Sequence, residues 1–402
     1  LMKPIWLLNA TIVLERSILE NGFLHLKEGK VCSFGHMADC PPIPDRDLQL
    51  DCQSKRIIPG MIDIHVHGAG GFDVMDASVE ALDGMAKKLA QEGTTSFLAT
   101  TMTNPANRIG EAMSAIKMYR ERIKQGVPEM IGIHLEGPFI HPVQKGAQPE
   151  QHILQPDIEL FNEWQRLSGG AIKIVTFAPE TGDRSFVERL VQEGVIASIG
   201  HSNATYAETL ENVRSGVTHA THLFNGMRGL HHREPGVVGA ALLADEVYVE
   251  VIPDGHHFHP DLLKLILRQK GVERTLVITD GIRAKGMPDG VYDLGGNNVT
   301  VRDGKCTLEK GASLAGSILT MNEARKNIAK WGGLSLLEQT YITSLNQAKR
   351  LGIDSRKGSI AVGKDADVVL LDETDHIEMT ICNGTIAYAS ANSNFKRLCD
   401  LM

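Results

Sequence analysis

Short runs of apolar and β-branched residues alternate along most of the chain with longer stretches whose apolar positions recur at helical spacing. From residue 57 onward eight such runs can be counted, at 57–67, 94–101, 130–136, 172–178, 196–201, 219–224, 248–254 and 275–280. A helical pattern follows each one. In residues 78–91, Val79, Leu82, Met85, Ala86 and Leu89 share a face, and Ser78 stands where a capping hydroxyl would satisfy the first free N–H groups. The pattern repeats at 186–193, 206–214, 260–269 and 321–331. Parallel strands need a long crossover and are buried on both faces, so near-continuous apolar strands separated by helices predict βα units. Eight of them predict an α/β fold of (β/α)8 TIM-type, with its chemistry at the C-terminal ends of the strands.

The two ends of the chain read differently. Residues 4–14, 22–26 and 30–34, and again 367–371, 378–382 and 385–388, alternate in the manner of hairpin strands and lack helical stretches. Asn21-Gly22 and Asn383-Gly384 are dipeptides suited to tight turns, because both residue types tolerate positive φ. The expectation is a small β-sandwich domain built from both termini, residues 1–58 and 353–402, with a hydrolase-type barrel, 59–352, inserted between them. Residues 281–314, rich in glycine and strand-like, read as an excursion between the eighth strand and its helix.

Composition narrows the function classes. A chain of 402 residues that is 42% hydrophobic and 22% charged can bury a large core. Its formal charge of −8, without a long basic block, argues against nucleic acid as a partner. No apolar run approaches the ~18 to 20 residues that span a bilayer, which predicts neither a membrane anchor nor a signal peptide. Cys32, Cys40, Cys52, Cys306, Cys382 and Cys399 show no C-x-x-C pairing, as expected of a reducing, cytoplasmic setting. Histidine is unevenly spread: 13 of 16 lie between His65 and His259, so chemistry is sought there.

His65 and His67 end the first predicted strand, where a period of two puts both imidazoles on one face. Alone, such a pair is as readily explained by packed or surface histidines. Further metal-competent groups occupy equivalent places: Glu136 ends the third run, His201 the fifth, His222 lies on the sixth and Asp280 ends the eighth. Imidazole and carboxylate suit a borderline divalent cation such as zinc or iron, and six groups exceed one tetrahedral ion. Glu136 could bridge two ions, with His65 and His67 on one side and His201 and His222 on the other. Asp280 would serve a metal, the attacking water, or both. The glycines at 68–71 fit neither G-x-G-x-x-G nor a P-loop, and no G-x-S-x-G elbow occurs, so Ser198, Ser202 and Ser317 are poor nucleophiles.

Around these positions the sequence resembles the amidohydrolase superfamily and, within it, the family of N-acetylglucosamine-6-phosphate deacetylases. The resemblance runs through PGMIDIHVHG (59–68), GTTSFLATT (93–101), GIHLEGPF (132–139), THLFNGM (221–227), HHREPG (231–236), DGHHFHP (254–260), LAGSILTMNEA (314–324) and KGSIAVGKDADVVLLD (357–372). The first and last blocks are specific only to the superfamily, whereas HLEGPF, HLFN-M, HREPG and LAGS are narrower. Many superfamily members bridge their metals with a carboxylated lysine, so a glutamate at 136 favours the acetyl-sugar branch.

The resemblance implies a metal-dependent amide hydrolase acting on a phosphorylated amino sugar. Because both His65 and His67 are kept, it implies two divalent ions per subunit, zinc, iron or another first-row ion. Asn225, Gly226 and Arg233 would take the 6-phosphate, with Arg233 reaching the neighbouring subunit of a homodimer. His257 matches a substrate-contacting histidine. Ala147 and Gln148 match a substrate-contact pair, although relatives often carry histidine at the second place. Leu314, Ala315 and Gly316 match the segment covering the acetyl group, and Asp280 is the expected proton shuttle. Rival readings are an amidohydrolase acting on another N-acetylated amino sugar or a cyclic amide, and a catalytically dead scaffold of the same fold.

Overall fold

The computed structural model describes residues 3–122, 125–309, 313–391 and 395. At its centre eight parallel strands follow one another in sequence order: β1 (Met61–Val66), β2 (Thr94–Thr101), β3 (Glu129–Glu136), β4 (Ile172–Phe177), β5 (Ile196–Ile199), β6 (Val217–Ala220), β7 (Tyr248–Val251) and β8 (Thr275–Val277). Every residue of β1 and β2 is buried, which is why these strands carry no polar alternation. The helices cover the outer face. Between β1 and β2, Val79–Ala90 begins where Ser78 accepts a hydrogen bond from the Ala81 N–H, and it buries Leu82, Met85, Ala86 and Leu89. Past the last strand, the Asp280 N–H donates to the His65 carbonyl and the His67 N–H to the Gly281 carbonyl, so backbone bonds also tie the end of β1 to the end of β8.

A second, mixed sheet draws strands from both ends of the chain. Its order is Thr385–Ala389, Ile377–Cys382, Val368–Leu371, Arg56–Pro59, Ile5–Val13, Ile18–Lys27, Lys30–His36, with Leu48–Asp51 also pairing with Ile5–Val13. Hydrogen bonding makes this one sheet, not the two separate sheets expected of a sandwich. Side chains from both arms, Leu7, Leu24 and Val31 with Val368 and Ile381, nevertheless share one apolar cluster.

The predicted elements and the observed ones differ in instructive ways. The expected strand at 57–67 breaks at Gly60, where the chain passes from one sheet to the other; the close approach to Thr95 requires glycine there, since a Cβ would sit 2.0 Å from its Oγ1. Asn21-Gly22 is not a turn. Asn21 holds φ 46° inside Ile18–Lys27, next to irregular pairing with Ile5–Val13, while Glu28 and Gly29, at φ 52° and 75°, make the turn that follows. Asn383-Gly384 does turn, at φ 48° and 76°. The fifth, sixth and eighth strands are shorter than expected, so His201, His222 and Asp280 lie on the loops beyond them.

The excursion after β8 forms a three-stranded antiparallel sheet, Gly290–Leu294, Asn297–Arg302 and Lys305–Leu308. It packs Leu294, Val299 and Val301 against Met102, Ile282 and Ala315, and so stands beside the C-terminal ends of the parallel strands. Among the described residues no helix is long and apolar enough to cross a membrane. Cys32, Cys40, Cys52, Cys306 and Cys382 are free thiols, and Cys399 lies outside the described residues.

Candidate active site

Six groups predicted from separate motifs meet at one end of the parallel sheet. Of three sets of possible ligand atoms that lie within 4.8 Å of one another, one is His65, His134 and Glu250, and two are drawn from these six: His65, His67 and Asp280, and Glu136, His201 and His222. Glu136 touches both. Its Oε1 lies 2.9 Å from His222 Nε2 and 3.2 Å from His201 Nε2, and its Oε2 lies 3.2 Å from His67 Nε2. Asp280 Oδ1 is 3.2 Å from His67 Nε2 and 3.4 Å from His65 Nε2.

The outer nitrogens of the four rings decide what the inner ones can do. His201 Nδ1 lies 2.7 Å from the Gln144 carbonyl, His222 Nδ1 3.1 Å from that of Asn225, His67 Nδ1 3.2 Å from that of Thr100, and His65 Nδ1 3.0 Å from Glu250 Oε2. Carbonyl and carboxylate oxygens only accept, so every Nδ1 must carry the proton. In the neutral rings each Nε2 is then left with a lone pair. Four such lone pairs and two carboxylates converge, with His201 Nε2 and His222 Nε2 only 3.2 Å apart. His65 Nε2, fully buried, has no hydrogen-bond partner. Such a donor-poor, acceptor-rich cluster fits divalent cations.

Protons are the alternative source of positive charge. Burial works to lower the pKa of His67, yet Asp280 and Glu136 outweigh it and raise it to about 9. The same contest, with Glu136, Glu250 and Asp280 as the anions, lifts His65 well above its ordinary value. Burial opposes ionisation of Glu136, but His65, His201 and His222 hold its carboxyl well below the usual range.

The cluster forms one wall of a cavity of about 460 Å³. His67, Glu136, His201, His222 and Asp280 line it, whereas His65 lies buried behind them. Ala147, Gln148, Asn225, Gly226, His257, Leu314 and Gly316 also line it. Gly226 admits nothing larger, since a Cβ would lie 2.9 Å from His201 Nδ1.

Some expected contacts take a different form. Gln148 is already engaged: its Nε2 donates to Glu136 Oε2 at 2.9 Å and its Oε1 accepts from the Thr103 N–H at 2.7 Å. The Asn225 N–H closes the turn onto the His222 carbonyl and its side-chain amide donates to the carbonyls of Leu223 and His222. Ala315 is fully buried, donates to the Cys306 carbonyl, and does not line the cavity. Arg233 is exposed, beside His232, and does not line this chain's own cavity. His257 is held by Asp254 at 2.7 Å, while His256 and His259 are exposed.

A family profile described as "Amidohydrolase family" matches residues 56–394. The chain belongs to the amidohydrolase family. Among its members, an N-acetylglucosamine-6-phosphate deacetylase of Bacillus subtilis (strain 168) is 44% identical over 387 residues, 95% of this chain and 97% of that one. An N-acetylgalactosamine-6-phosphate deacetylase of Escherichia coli O157:H7 is 37% identical over 92% of this chain and 97% of its own. The crystal structure of N-acetylglucosamine-6-phosphate deacetylase from Pasteurella multocida superposes with a TM-score of 0.90 at 30% identity, covering 96% of this chain and all of that one.

Sequence reasoning missed three buried groups behind this amidohydrolase site. Glu250, His219 and His134 are fully buried around His65. The signal was available for Glu250, a lone carboxylate in the otherwise apolar run YVEVI, and for His134, two residues before Glu136 on the same strand face.

Proposed function

We propose that this chain is a metal-dependent deacetylase that hydrolyses N-acetyl-D-glucosamine 6-phosphate to D-glucosamine 6-phosphate and acetate. The observation that carries the reading is the convergence of four Nδ1-anchored imidazoles and two carboxylates on a cavity wall. The relatives' names supply the sugar phosphate. His65, His67 and Asp280 would hold one divalent ion, Glu136, His201 and His222 a second, with Glu136 shared. When bound, such ions polarise the amide carbonyl and lower the pKa of water.

Asp280 moves the proton. It accepts one from water as the water oxygen bonds to the acetyl carbon, and returns it to the amide nitrogen as the C–N bond breaks. The amine then leaves neutral and the acetyl group departs as acetic acid, which releases its remaining proton to water and becomes acetate. Gln148 holds Glu136, and His257, oriented by Asp254, faces the sugar with Leu314 and Gly316. The paired edges of β1 and β8 support a closed (β/α)8 barrel over residues 59–352, and the shared apolar cluster supports a sandwich-like terminal domain from 1–58 and 353–402. Arg233 would serve the partner's cavity in a homodimer. Its exposure supports this, as do the exposed Leu230 and Leu243 on the same stretch of chain. A phosphorylated sugar as substrate and the free thiols support a cytoplasmic setting.

The test is acetate release from N-acetylated hexosamines with and without a 6-phosphate. Release from the glucosamine compound above all others is expected. Preference for the galactosamine epimer would shift the assignment to the second named activity, and release from none would overturn it. Arg233→Ala should raise KM for the phosphorylated sugar while leaving the unphosphorylated one unchanged. Equal losses on both would remove Arg233 from phosphate binding.

A further inference from the structure

Glu250 is a fully buried carboxylate on β7, between the short strands β6 and β8, and it contacts neither the cavity nor either carboxylate of the site. Three donors engage it. Oε2 receives His65 Nδ1 at 3.0 Å and the His222 backbone N–H at 3.2 Å, and Oε1 receives His219 Nε2 at 3.0 Å. A metal ion on this side of His65 would need His134 as a further ligand. Both nitrogens of that ring are taken, Nδ1 by the Ile64 carbonyl at 3.0 Å and Nε2 by Thr176 Oγ1 at 2.6 Å. Burial first, and the neighbouring His65 next, hold His134 down to about 3, so it stays neutral and adds no charge. The carboxylate is therefore not a ligand.

Its geometry gives it another task. A histidine can offer Nε2 to a metal only while Nδ1 keeps the proton, and the partner of Nδ1 sets both tautomer and ring direction. Of the four rings, three are anchored by backbone carbonyls, and His65 alone is anchored by a side chain. His65 is also the ring most removed from solvent, and Glu250 is the group its Nδ1 meets at hydrogen-bond distance. His219 and the His222 N–H pin the carboxylate, and the carboxylate pins His65.

We infer that Glu250 is a positioning residue for metal binding: it holds His65 as the Nδ1–H tautomer with Nε2 directed at the cleft between Glu136 and Asp280. This rests on the reading of His65 as a metal ligand, and the two can fail separately. A neutral glutamine amide cannot accept from both His65 and His219 as the carboxylate does, since one of its two ends is a donor. Loss of an outer partner of this type lowers metal affinity by roughly 10- to 100-fold.

The experiment is a double-mutant cycle of Zn²⁺ affinity, read by competition with a chromophoric chelator on the full chain, for wild type, His65→Asn, Glu250→Gln and the pair. Expected is a 10- to 100-fold loss of affinity in Glu250→Gln at the more weakly held ion, and no further loss when the change is added to His65→Asn. Unchanged affinity in His65→Asn would sink the ligand reading itself. An additive loss in the double variant, or full affinity in Glu250→Gln, would show that Glu250 is only a core strut. Should Glu250→Gln not fold, ¹⁵N spectra of the zinc-loaded wild type decide. Nδ1 protonated and Nε2 metal-bound in His65 is required, and the reverse overturns the inference.

Discussion

Replacing Asp280 by Asn separates proton transfer from metal binding, and the structure makes it a clean change. Asp280 sits at φ 49°, a left-handed conformation that asparagine tolerates better than any residue except glycine. Its backbone bonds to the His65 carbonyl and from the Ser317 N–H need no carboxylate and survive the change. Oδ1, 3.2 Å from His67 Nε2 and 3.4 Å from His65 Nε2, is replaced by an oxygen or nitrogen of the same size, but one that cannot accept a proton. General acid–base catalysis contributes about 10² to 10⁴ in rate, so kcat should fall by that factor, about 3 to 5 kcal/mol of barrier. Burial pushes the Asp280 pKa up, yet His65 and His67 outweigh it and hold it below the ordinary carboxylate value. The wild-type rate should thus decline only on the acid side, as the base is protonated, and that limb should vanish in the variant. Acetate release and elemental analysis on one preparation measure rate and metal together. Near-wild-type turnover in metal-loaded protein would remove Asp280 from proton transfer. A rate loss that merely tracks loss of metal would make it a ligand alone.

Two further outcomes follow from groups at and away from the site. Glu129, at the start of β3, is gripped by both terminal nitrogens of Arg356, at 2.8 and 2.6 Å, and by Lys357 at 2.9 Å; burial opposes ionisation, but these cations lower its pKa to about 2. A lowered folded pKa stabilises above the unfolded value near 4.5 and loses that stabilisation as pH falls towards 2, so Glu129→Gln should lower the urea midpoint at pH 7 and converge with wild type in acid. With the side chain 42% exposed, solvent screening leaves about 1 kcal/mol, and a gap independent of pH would contradict the argument. Gln148→Leu should strand the Thr103 N–H and deprive Glu136 of a donor, costing about 1 to 3 kcal/mol in urea unfolding and weakening Zn²⁺ retention against a chelator. Gln148→His, which can still donate to Glu136, should keep more of both, and equal losses in the two variants would mean that only packing matters.

The parallel strands were legible because burial on both faces leaves an uninterrupted apolar signal, and TTSFLATT at 94–101 was located to the residue. Strand ends were not. Ladder bonds stop where the backbone turns into a loop, and neither propensity nor periodicity marks that point in IASIGH or LVITDG. Asn21-Gly22 misled because positive φ serves an irregular strand as well as a turn, while Glu28-Gly29, which turns, lacks the usual asparagine. The six metal-competent residues could be collected because each sits at or just beyond the end of a recognisable strand. The groups behind them could not, since Glu250 and His219 are identified by what they touch across the sheet, and those contacts span 185 and 31 residues of sequence. Gln148 illustrates the same limit within the cavity: its position was expected, but its bond to Glu136 depends on where the loop folds.

Half of the candidate ligands sit on strained backbone. Non-glycine residues at positive φ include His201 at 48°, His222 at 30° and Asp280 at 49°, three of the six groups, each just beyond its strand. An extended continuation would send successive side chains alternately to the two faces of the sheet, whereas a single left-handed residue turns the chain and directs the side chain across the mouth of the sheet. That conformation costs about 1 to 2 kcal/mol for a residue with a Cβ, against about 0.5 to 1 kcal/mol of extra chain entropy for glycine. The difference predicts an inversion of sign. At His201 and Asp280, the glycine variant should be more stable than the alanine variant by about 0.5 to 1 kcal/mol in metal-free protein, because both remove the same contacts and only glycine relieves the strain. At His65, within the extended strand β1, alanine should be the more stable of the two by a similar amount. Urea unfolding of the six variants after chelation measures it. Alanine exceeding glycine at His201 and Asp280 as well would show that the positive φ values are not held against a cost, and that the aim of these side chains is fixed by packing alone.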